Sequence, residues 1–333
     1  MTTRRPQQSS DIVRLLFLLC TCVLVVLSLV GTLGDVYWLF DLFAHFRLQM
    51  ILAAVTLLLL VALAKRFGYN TPRSGIGLVI VSVLLNLLFF VPFPTQKHSV
   101  AGNQPTQSVR VMFANIYYQN PDIPLIIEAI TAQKPDIILF AEIQQPDYLA
   151  LAAKLPEYSH QQFIPALHKH NPAHTISLLA KPGVVQNFAP LTFDDQTPSL
   201  QFTVGTEQNQ LKIVESHTLP PMSPQMAYDR DVHLTRLATF AGNTSEALLI
   251  MGDLNITPFS PLFLKLVTDG KLTTSRSTVF AQLSTPTWPT FLPAPLRIPI
   301  DHALVNAQAK ITSFETGPHT GSDHLPVTVT VEF

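Results

Sequence analysis

The stretch Leu249-Ile250-Met251-Gly252-Asp253-Leu254-Asn255 sets an apolar run, the right length for one buried strand, against a glycine and then two polar side chains spaced Asp-x-Asn. In extended backbone, residues i and i+2 point the same way. Asp253 and Asn255 are therefore expected to project together from the end of a core strand. Asp and Asn are also ordinary turn formers, so the stretch acquires chemical meaning only from its surroundings.

Those surroundings repeat the pattern. Asn115 follows Val111-Met112-Phe113-Ala114, Glu142 follows Ile137-Ile138-Leu139-Phe140-Ala141, and His217 follows Ile213-Val214-Glu215-Ser216. Asp301 and His302 follow Ile298-Pro299-Ile300, and Asp323 and His324 precede Leu325-Pro326-Val327. Six strand ends carrying Asn, Asp, Glu or His exceed what turns alone require, and strand ends are where a scaffold holds reactive groups most rigidly. Between them strand and helix signals alternate. Strands are read at 109–118, 136–140, 175–180, 200–204, 211–216, 248–251, 300–305, 311–314 and 327–332, and helices at 124–133, 147–155, 223–240 and 262–267. Continuous apolar strands alternating with helices predict an α/β layered domain with helices covering the sheets.

Carboxylates with an Asn amide are hard oxygen ligands that suit Mg²⁺ or Mn²⁺ rather than Zn²⁺. Two distant histidines, each near a carboxylate, suit proton transfer and charge stabilisation at phosphorus. The chemistry this set fits is metal-assisted cleavage of a phosphate ester. The chain has no HExxH, no cysteine ligand set, no Walker loop, no GxGxxG and no GxSxG elbow.

Composition divides the chain. Leu15–Leu33, Leu48–Ala64 and Ser74–Gln96 carry no charge and approach or reach the roughly 17–25 residues of a membrane span. They predict a three-helix membrane anchor over residues 1–95, with spans at about 12–33, 44–64 and 75–94. Arg4, Arg5 and Arg14 before the first run, and Lys65, Arg66 and Arg73 between the second and third, orient the amino terminus to the cytoplasm and everything after Pro94 outside it. Residues 96–108, with Gly102 and Pro105, read as a tether to a domain over 109–333. From residue 98 onward 13 Lys+Arg face 19 Asp+Glu, a net of −6, which disfavours a duplex-grasping surface. Both cysteines, Cys20 and Cys22, lie in the first apolar run, so the outer domain folds without disulfides.

The ordered set Asn115, Glu142, His217, Gly252-Asp253-Leu254-Asn255, Ile300-Asp301-His302 and Ser322-Asp323-His324-Leu325-Pro326 resembles the endonuclease/exonuclease/phosphatase superfamily over residues 109–333. Pro135-Asp136 and Thr287-Trp288-Pro289 agree with it, the latter pointing to its membrane-anchored bacterial branch. The resemblance implies a four-layer α/β sandwich, two mixed sheets flanked by helices. It implies Glu142 as principal Mg²⁺ ligand, with Asn115 beside it and Asp323 as a further ligand. His324 corresponds to the residue that acts as base or positions the phosphate, oriented by Asp301. Asp253 corresponds to the acid or base acting on water or leaving group, and Asn255 and His217 to groups stabilising phosphoryl charge. Which of Asp253 and His324 activates water is left open. Ala141 departs from the pattern, since Gln more usually precedes the glutamate. His302 is expected to face away from Asp301 as a structural residue. His160, His168, His170, His233 and His319 are expected on the surface or in loops, and Arg230 and Arg236 on a solvated helix face.

The function expected from these features is a membrane-anchored, Mg²⁺-dependent phosphoesterase acting outside the cytoplasm on a phosphate ester or pyrophosphate, with lipid-linked substrates among the candidates. An extracytoplasmic metal-dependent nuclease is the alternative, and a non-catalytic membrane-bound binding module the third.

Overall fold

The computed structural model describes residues 7–69, 71–90, 92–93, 107–120, 122–167, 172–194 and 196–333. Arg4, Arg5, His168, His170 and nearly all of the 96–108 tether lie outside the described residues. The chain divides into two compact units, Met1–Val91 with Phe259–Pro261, and Pro92–Pro258 with Leu262–Phe333.

The first unit contains helices α1 (Gln7–Val30), α2 (Trp38–Ala44), α3 (Arg47–Arg66) and α4 (Arg73–Leu87). Phe17, Ala54, Val61 and Val79 pack together at its centre. Gly75 lets α1 and α4 approach, because a Cβ there would lie 2.3 Å from the Phe17 ring. Among the described residues two helices, Asp11–Leu33 and Arg47–Arg66, are long and apolar enough to cross a membrane. This corrects the three-span expectation in two places. The second span starts at Arg47 because residues 38–44 fold into the separate α2. The third is a 15-residue helix, about 22 Å long at 1.5 Å per residue, against a hydrocarbon thickness of about 30 Å.

The second unit runs β1 (Ser108–Asn115), α5 (Ile123–Gln133), β2 (Ile137–Ala141), α6 (Gln145–Lys154), β3 (His160–Ile164), β4 (Ile176–Ala180), β5 (Val185–Thr192), β6 (Pro198–Thr206), β7 (Asn209–Ser216), α7 (Pro224–Asn243), β8 (Ala247–Asp253), α8 (Pro261–Asp269), β9 (Thr273–Thr274), α9 (Val279–Ser284), β10 (Asp301–Val305), β11 (Lys310–Thr316) and β12 (Val327–Glu332). Two six-stranded sheets form, ordered β11-β12-β1-β2-β4-β3 and β5-β6-β7-β8-β10-β9. Each is mixed: β1 and β2 pair in parallel in the first, β7 and β8 in the second, and the remaining pairs are antiparallel.

Strand periodicity explains the layering. Val109, Val111 and Phe113 of β1, Leu211 and Ile213 of β7, and Leu249 and Met251 of β8 meet between the sheets. Met112, Ala114, Ile138 and Phe140 point the other way onto Ile126, Ile130 and Leu151 of α5 and α6. Val214, Leu248 and Ile250 pack against Leu234, Leu237 and Phe263 of α7 and α8. The result is the expected α/β arrangement of two mixed sheets flanked by helices. Ser223 caps α7, accepting from the Met226 amide at 3.2 Å, with Pro224 in the first turn. Strands β3, β5 and β9 were not expected from sequence. All three are edge strands. β3 opens with His160-Gln161-Gln162, β5 is broken by Gln186-Asn187 and by Pro190, and β9 is only two residues long, so none carries the long apolar run of a central strand.

Candidate active site

The inward faces of β1, β2, β7, β8, β10 and β12 carry odd-numbered residues, and the site continues those faces. Asn115 ends β1, Asp253 ends β8 and Asp301 begins β10, with Asp253 and Asp301 directly opposed in the β8–β10 ladder. His217 follows the last residue of β7. A period of two thus delivers these four side chains to one end of the space between the sheets. Glu142 follows β2 on the even count, which would point it outward. Its backbone enters the left-handed region at φ 57°, and its Oε1 meets the Asn115 amide at 2.9 Å. The loop before β12 is tied down by Ser322, whose Oγ donates to the Asn115 carbonyl at 2.8 Å and accepts from the His324 amide at 3.1 Å.

Two groups result. In the first, the buried Asn115 Nδ2 bridges Glu142 Oε1 and Asp253 Oδ2, the latter at 3.1 Å, while Tyr117 N donates to Asn115 Oδ1 at 3.0 Å. In the second, His324 Nδ1 lies 3.0 and 3.2 Å from the two Asp301 oxygens, and its Nε2 lies 3.6 Å from Asp253 Oδ2. His217 Nε2 stands between the groups, 3.7 Å from Glu142 Oε1 and 3.8 Å from Asp253 Oδ2. Asp323 is partly exposed, and its Oδ2 accepts from Trp288 Nε1 at 2.9 Å.

The electrostatics follow burial. Asp253 is driven well above the usual carboxylate range, first by burial and then by the Asp301 charge. Burial opposes charge on His324, but the carboxylates of Asp301 and Asp253 outweigh it and raise its pKa. Burial lowers His217 to about 3, helped by the neighbouring His174 and His324. Burial also raises Glu142, tempered by the Asn115 hydrogen bond and reinforced by the Asp323 charge.

Two sets of side chains can be weighed as cation ligands. Asp253, Asp301 and His324 are buried and bring ligand atoms within 4.8 Å of one another. His324, however, is raised toward its charged form, and a metal-ligating histidine must be unprotonated. Its Nδ1 is also engaged by Asp301. This set fits a proton relay better than a cage. Glu142, Asn115 and Asp323 fit a cation better: they are hard oxygen donors, Glu142 and Asp323 repel each other, and both remain open to solvent.

Asn255 lies past the end of its strand rather than on the face of Asp253. β8 ends at Asp253, so alternation stops there and Asn255 adopts φ 47°. Its Nδ2 donates to the Thr218 carbonyl at 2.8 Å, and its backbone amide donates to Asp253 Oδ1 at 2.9 Å. His302 faces away from the site, its Nε2 at 2.8 Å from the Ile256 carbonyl. Two expectations of solvent exposure are overturned. Arg230 and His233 are fully buried, because the face of α7 that carries them lies on the outer side of the second sheet. Arg230 donates to the Asn255 carbonyl at 3.3 Å. Arg276 lies outside every motif and is fully buried, and its guanidinium holds the Asp301 carbonyl at 2.6 Å. No pattern in one sequence announces it.

Glu215 is one inward position before His217 on β7. It is fully buried, and neither carboxylate oxygen has a hydrogen-bond partner among the described residues. Burial holds its pKa well above the usual value, so the folded protein keeps this proton while the unfolded chain releases it above about pH 4.3. The stability tied to this proton is full below that pH and is lost as pH rises toward the folded pKa, at about 1.4 kcal/mol per pH unit. Glu215→Gln is expected to melt close to wild type at pH 5 and clearly above it at pH 8. Parallel thermal melts at the two pH values check this, and identical pH slopes would contradict it.

The sequence profile of the Endonuclease/Exonuclease/phosphatase family matches residues 112–324, and the chain belongs to that family. Its members are generally hydrolases acting on phosphoester bonds. A solved endonuclease/exonuclease/phosphatase from Beutenbergia cavernae superposes with a TM-score of 0.55 at 19% identity, covering 68% of this chain and 72% of that one. One from Bacteroides vulgatus gives 0.55 at 16%, covering 68% and 99%. The human Nocturnin catalytic domain gives 0.53 at 18%, covering 67% and 94%. At these identities the likeness shows the shared fold. No curated protein matches the chain.

Proposed function

We propose that this chain is a membrane-anchored, divalent-cation-dependent phosphoesterase. The observation that carries the proposal is the meeting of Glu142 and Asn115, with the Asp323 charge acting on Glu142, and the Asp253–His324–Asp301 relay at one end of the two sheets, with His217 Nε2 within 3.8 Å of both Glu142 and Asp253. Glu142, Asn115 and Asp323 would hold Mg²⁺ or Mn²⁺, which when bound supplies a Lewis acid for a phosphoryl oxygen. Asp253, with its raised proton affinity, takes the proton from the attacking water. His324, held charged by Asp301, donates to the phosphoryl oxygen where charge builds. His217 lines the same position. Asn255 acts through its backbone contact to Asp253 and its hold on Thr218 rather than as a direct phosphoryl contact.

Lipid-linked phosphates or pyrophosphates are the favoured substrates. The two membrane-length helices support this, as does the acidic charge of the second unit. Met222 and Phe291, exposed at 79% and 78%, add apolar surface on the loops leading from His217 and Trp288. The full-length protein in detergent, given Mg²⁺ or Mn²⁺, is expected to hydrolyse bis-(4-nitrophenyl) phosphate and a polyprenyl pyrophosphate or phospholipid in preference to plasmid DNA. Cleavage of DNA alone would establish the nuclease alternative, and inertness toward all of them would leave a binding module.

We place the catalytic unit outside the cytoplasm. That placement requires an odd number of crossings, one more than the two membrane-length helices among the described residues supply. The cations Lys65, Arg66 and Arg73 then stay cytoplasmic. An enzymatic reporter fused after Phe333 should be active outside the cytoplasm, and cytoplasmic activity would reduce the crossings to two.

A further inference from the structure

The two histidines of the site are held in different ways. His324 is oriented through its own ring, by Asp301 on Nδ1. His217 has no such contact: its Nδ1 is buried and has no hydrogen-bond partner among the described residues. Apart from the edge-on ring of His174, 6.4 Å away between centroids, the position of its Nε2 between Glu142 and Asp253 rests on the backbone that carries it.

That backbone is gripped from the opposite face of the sheet. Ser216, one residue before His217, points outward beneath α7 and is fully buried. Its Oγ lies 2.6 Å from His233 Nε2. His233 Nδ1 lies 2.6 Å from Asp194 Oδ2. Asp194 is in turn saturated, accepting from the Gln196 amide at 2.7 Å, the Thr197 amide at 2.6 Å and the Thr197 hydroxyl at 3.0 Å. These hydrogen bonds, with the His233 contact, hold its pKa below the usual carboxylate value despite burial. An ionised Asp194 fixes the proton of His233 on Nδ1, which leaves Nε2 facing the Ser216 hydroxyl. The order is that of a Ser-His-Asp triad, yet Ser216 and His233 are 0% exposed, so no substrate reaches the hydroxyl.

The same residue is held in the sheet plane. Gly252, which precedes Asp253, passes so close to β7 that a Cβ there would lie 1.8 Å from the Ser216 carbonyl oxygen. Thr218 N donates to the Asp253 carbonyl at 3.1 Å, and Asn255 holds the Thr218 carbonyl. Ser216 is thus the point at which the ends of β7 and β8, and with them His217 and Asp253, are registered against each other.

We propose that Asp194, His233 and Ser216 form a buried positioning relay that sets the imidazole of His217 against Asp253 and Glu142, with His233 as its central positioning residue. The proposal rests on the phosphoesterase reading for its catalytic consequence, but its structural half stands apart from it. None of the three touches substrate. They act by fixing where His217 stands in the transition state, so their loss is felt in kcat more than in KM.

The test uses the full-length protein in detergent, with ¹⁵N-labelled histidine, as wild type and as Ser216→Ala, His233→Leu, His233→Gln and Asp194→Asn. His233→Gln keeps an amide able to reach the Ser216 hydroxyl, whereas His233→Leu keeps only volume. Against bis-(4-nitrophenyl) phosphate, His233→Leu and Ser216→Ala should lose about tenfold in kcat with KM within about twofold, since displacements well under 1 Å at a reacting group cost this much. His233→Gln should recover most of the loss. In the spectra, a downfield proton on His233 Nδ1 should vanish in Asp194→Asn. The ring nitrogens of His217 should shift in Ser216→Ala and His233→Leu and return in His233→Gln. Wild-type kcat in both Ser216→Ala and His233→Leu would overturn the relay, and so would unmoved His217 resonances in those variants. If the wild type hydrolyses nothing, the phosphoesterase reading falls while the His217 resonances still decide the relay. Ser216→Ala removes a single oxygen, so it remains informative if His233→Leu fails to fold.

Discussion

Asp253→Asn is expected to lower kcat by about 10²–10⁴-fold, the range a positioned acid–base group contributes, with little change in KM. Asp253 is the side chain on which the site converges. Its Oδ2 accepts from Asn115 and faces both histidines, and its Oδ1 accepts from the Asn255 amide. Asparagine keeps the shape and one acceptor but cannot take a proton from water. The backbone donors that hold the end of β8, Thr218 N to the Asp253 carbonyl and Leu254 N to the Ile300 carbonyl, do not involve the side chain. The variant should therefore melt near wild type. Steady-state rates on bis-(4-nitrophenyl) phosphate, alongside a thermal melt, check this. A folded variant with more than a tenth of wild-type kcat would remove Asp253 from the proton-transfer role.

Glu142→Gln is expected to be at least as damaging and to fail in a different way. Residues that merely support a metal ligand cost about 10–100-fold in metal affinity or activity when changed, and a principal ligand should exceed that. The amide retains a hydrogen-bond acceptor for Asn115, so the Asn115–Asp253 contact persists. What is lost is the negative charge that burial and the neighbouring Asp323 already strain. Mn²⁺ titration by calorimetry should show weakened binding, and raising the cation concentration should recover part of the rate. Unchanged Mn²⁺ affinity and rate would move the cation site elsewhere, with the Asp253–Asp301–His324 group the next to test.

Much of this site was legible because of one regularity. Asn115, His217, Asp253 and Asp301 each follow or begin an apolar strand, and strands alternate with a period of two. A reader of the sequence can place such residues at strand ends without coordinates. Glu142 is the exception in kind. Its parity points it outward, and the turn at φ 57° that brings it to Asn115 has no signature in Ala141-Glu142-Ile143. Asn255 lies one step past the end of β8, where period-two reasoning no longer applies. Arg230 and His233 were misread because α7 presents polar residues to a sheet face that is itself polar at Ser216. A helical wheel treats a buried polar stripe as solvent-facing. The anchor shows the same limit. Apolar composition marked three runs, but where a helix stops is set by turns such as those at residues 88–90, and these shortened the third.

The sequence by itself determined the α/β class, the apolar helices ahead of it, and the kinds of side chain available for chemistry. These follow from local periodicity and composition, to which each residue contributes alone. Only the tertiary structure decided that Asp253 is shared between the Asn115 amide and two histidines, that Arg276 and Arg230 are buried behind the site, and that Ser216, His233 and Asp194 line up beneath His217. Those are relations between residues as much as 138 positions apart, as in the Asn115–Asp253 contact. They exist because two sheets and a helix close on one another, and no local pattern encodes which distant partner a buried polar group will find.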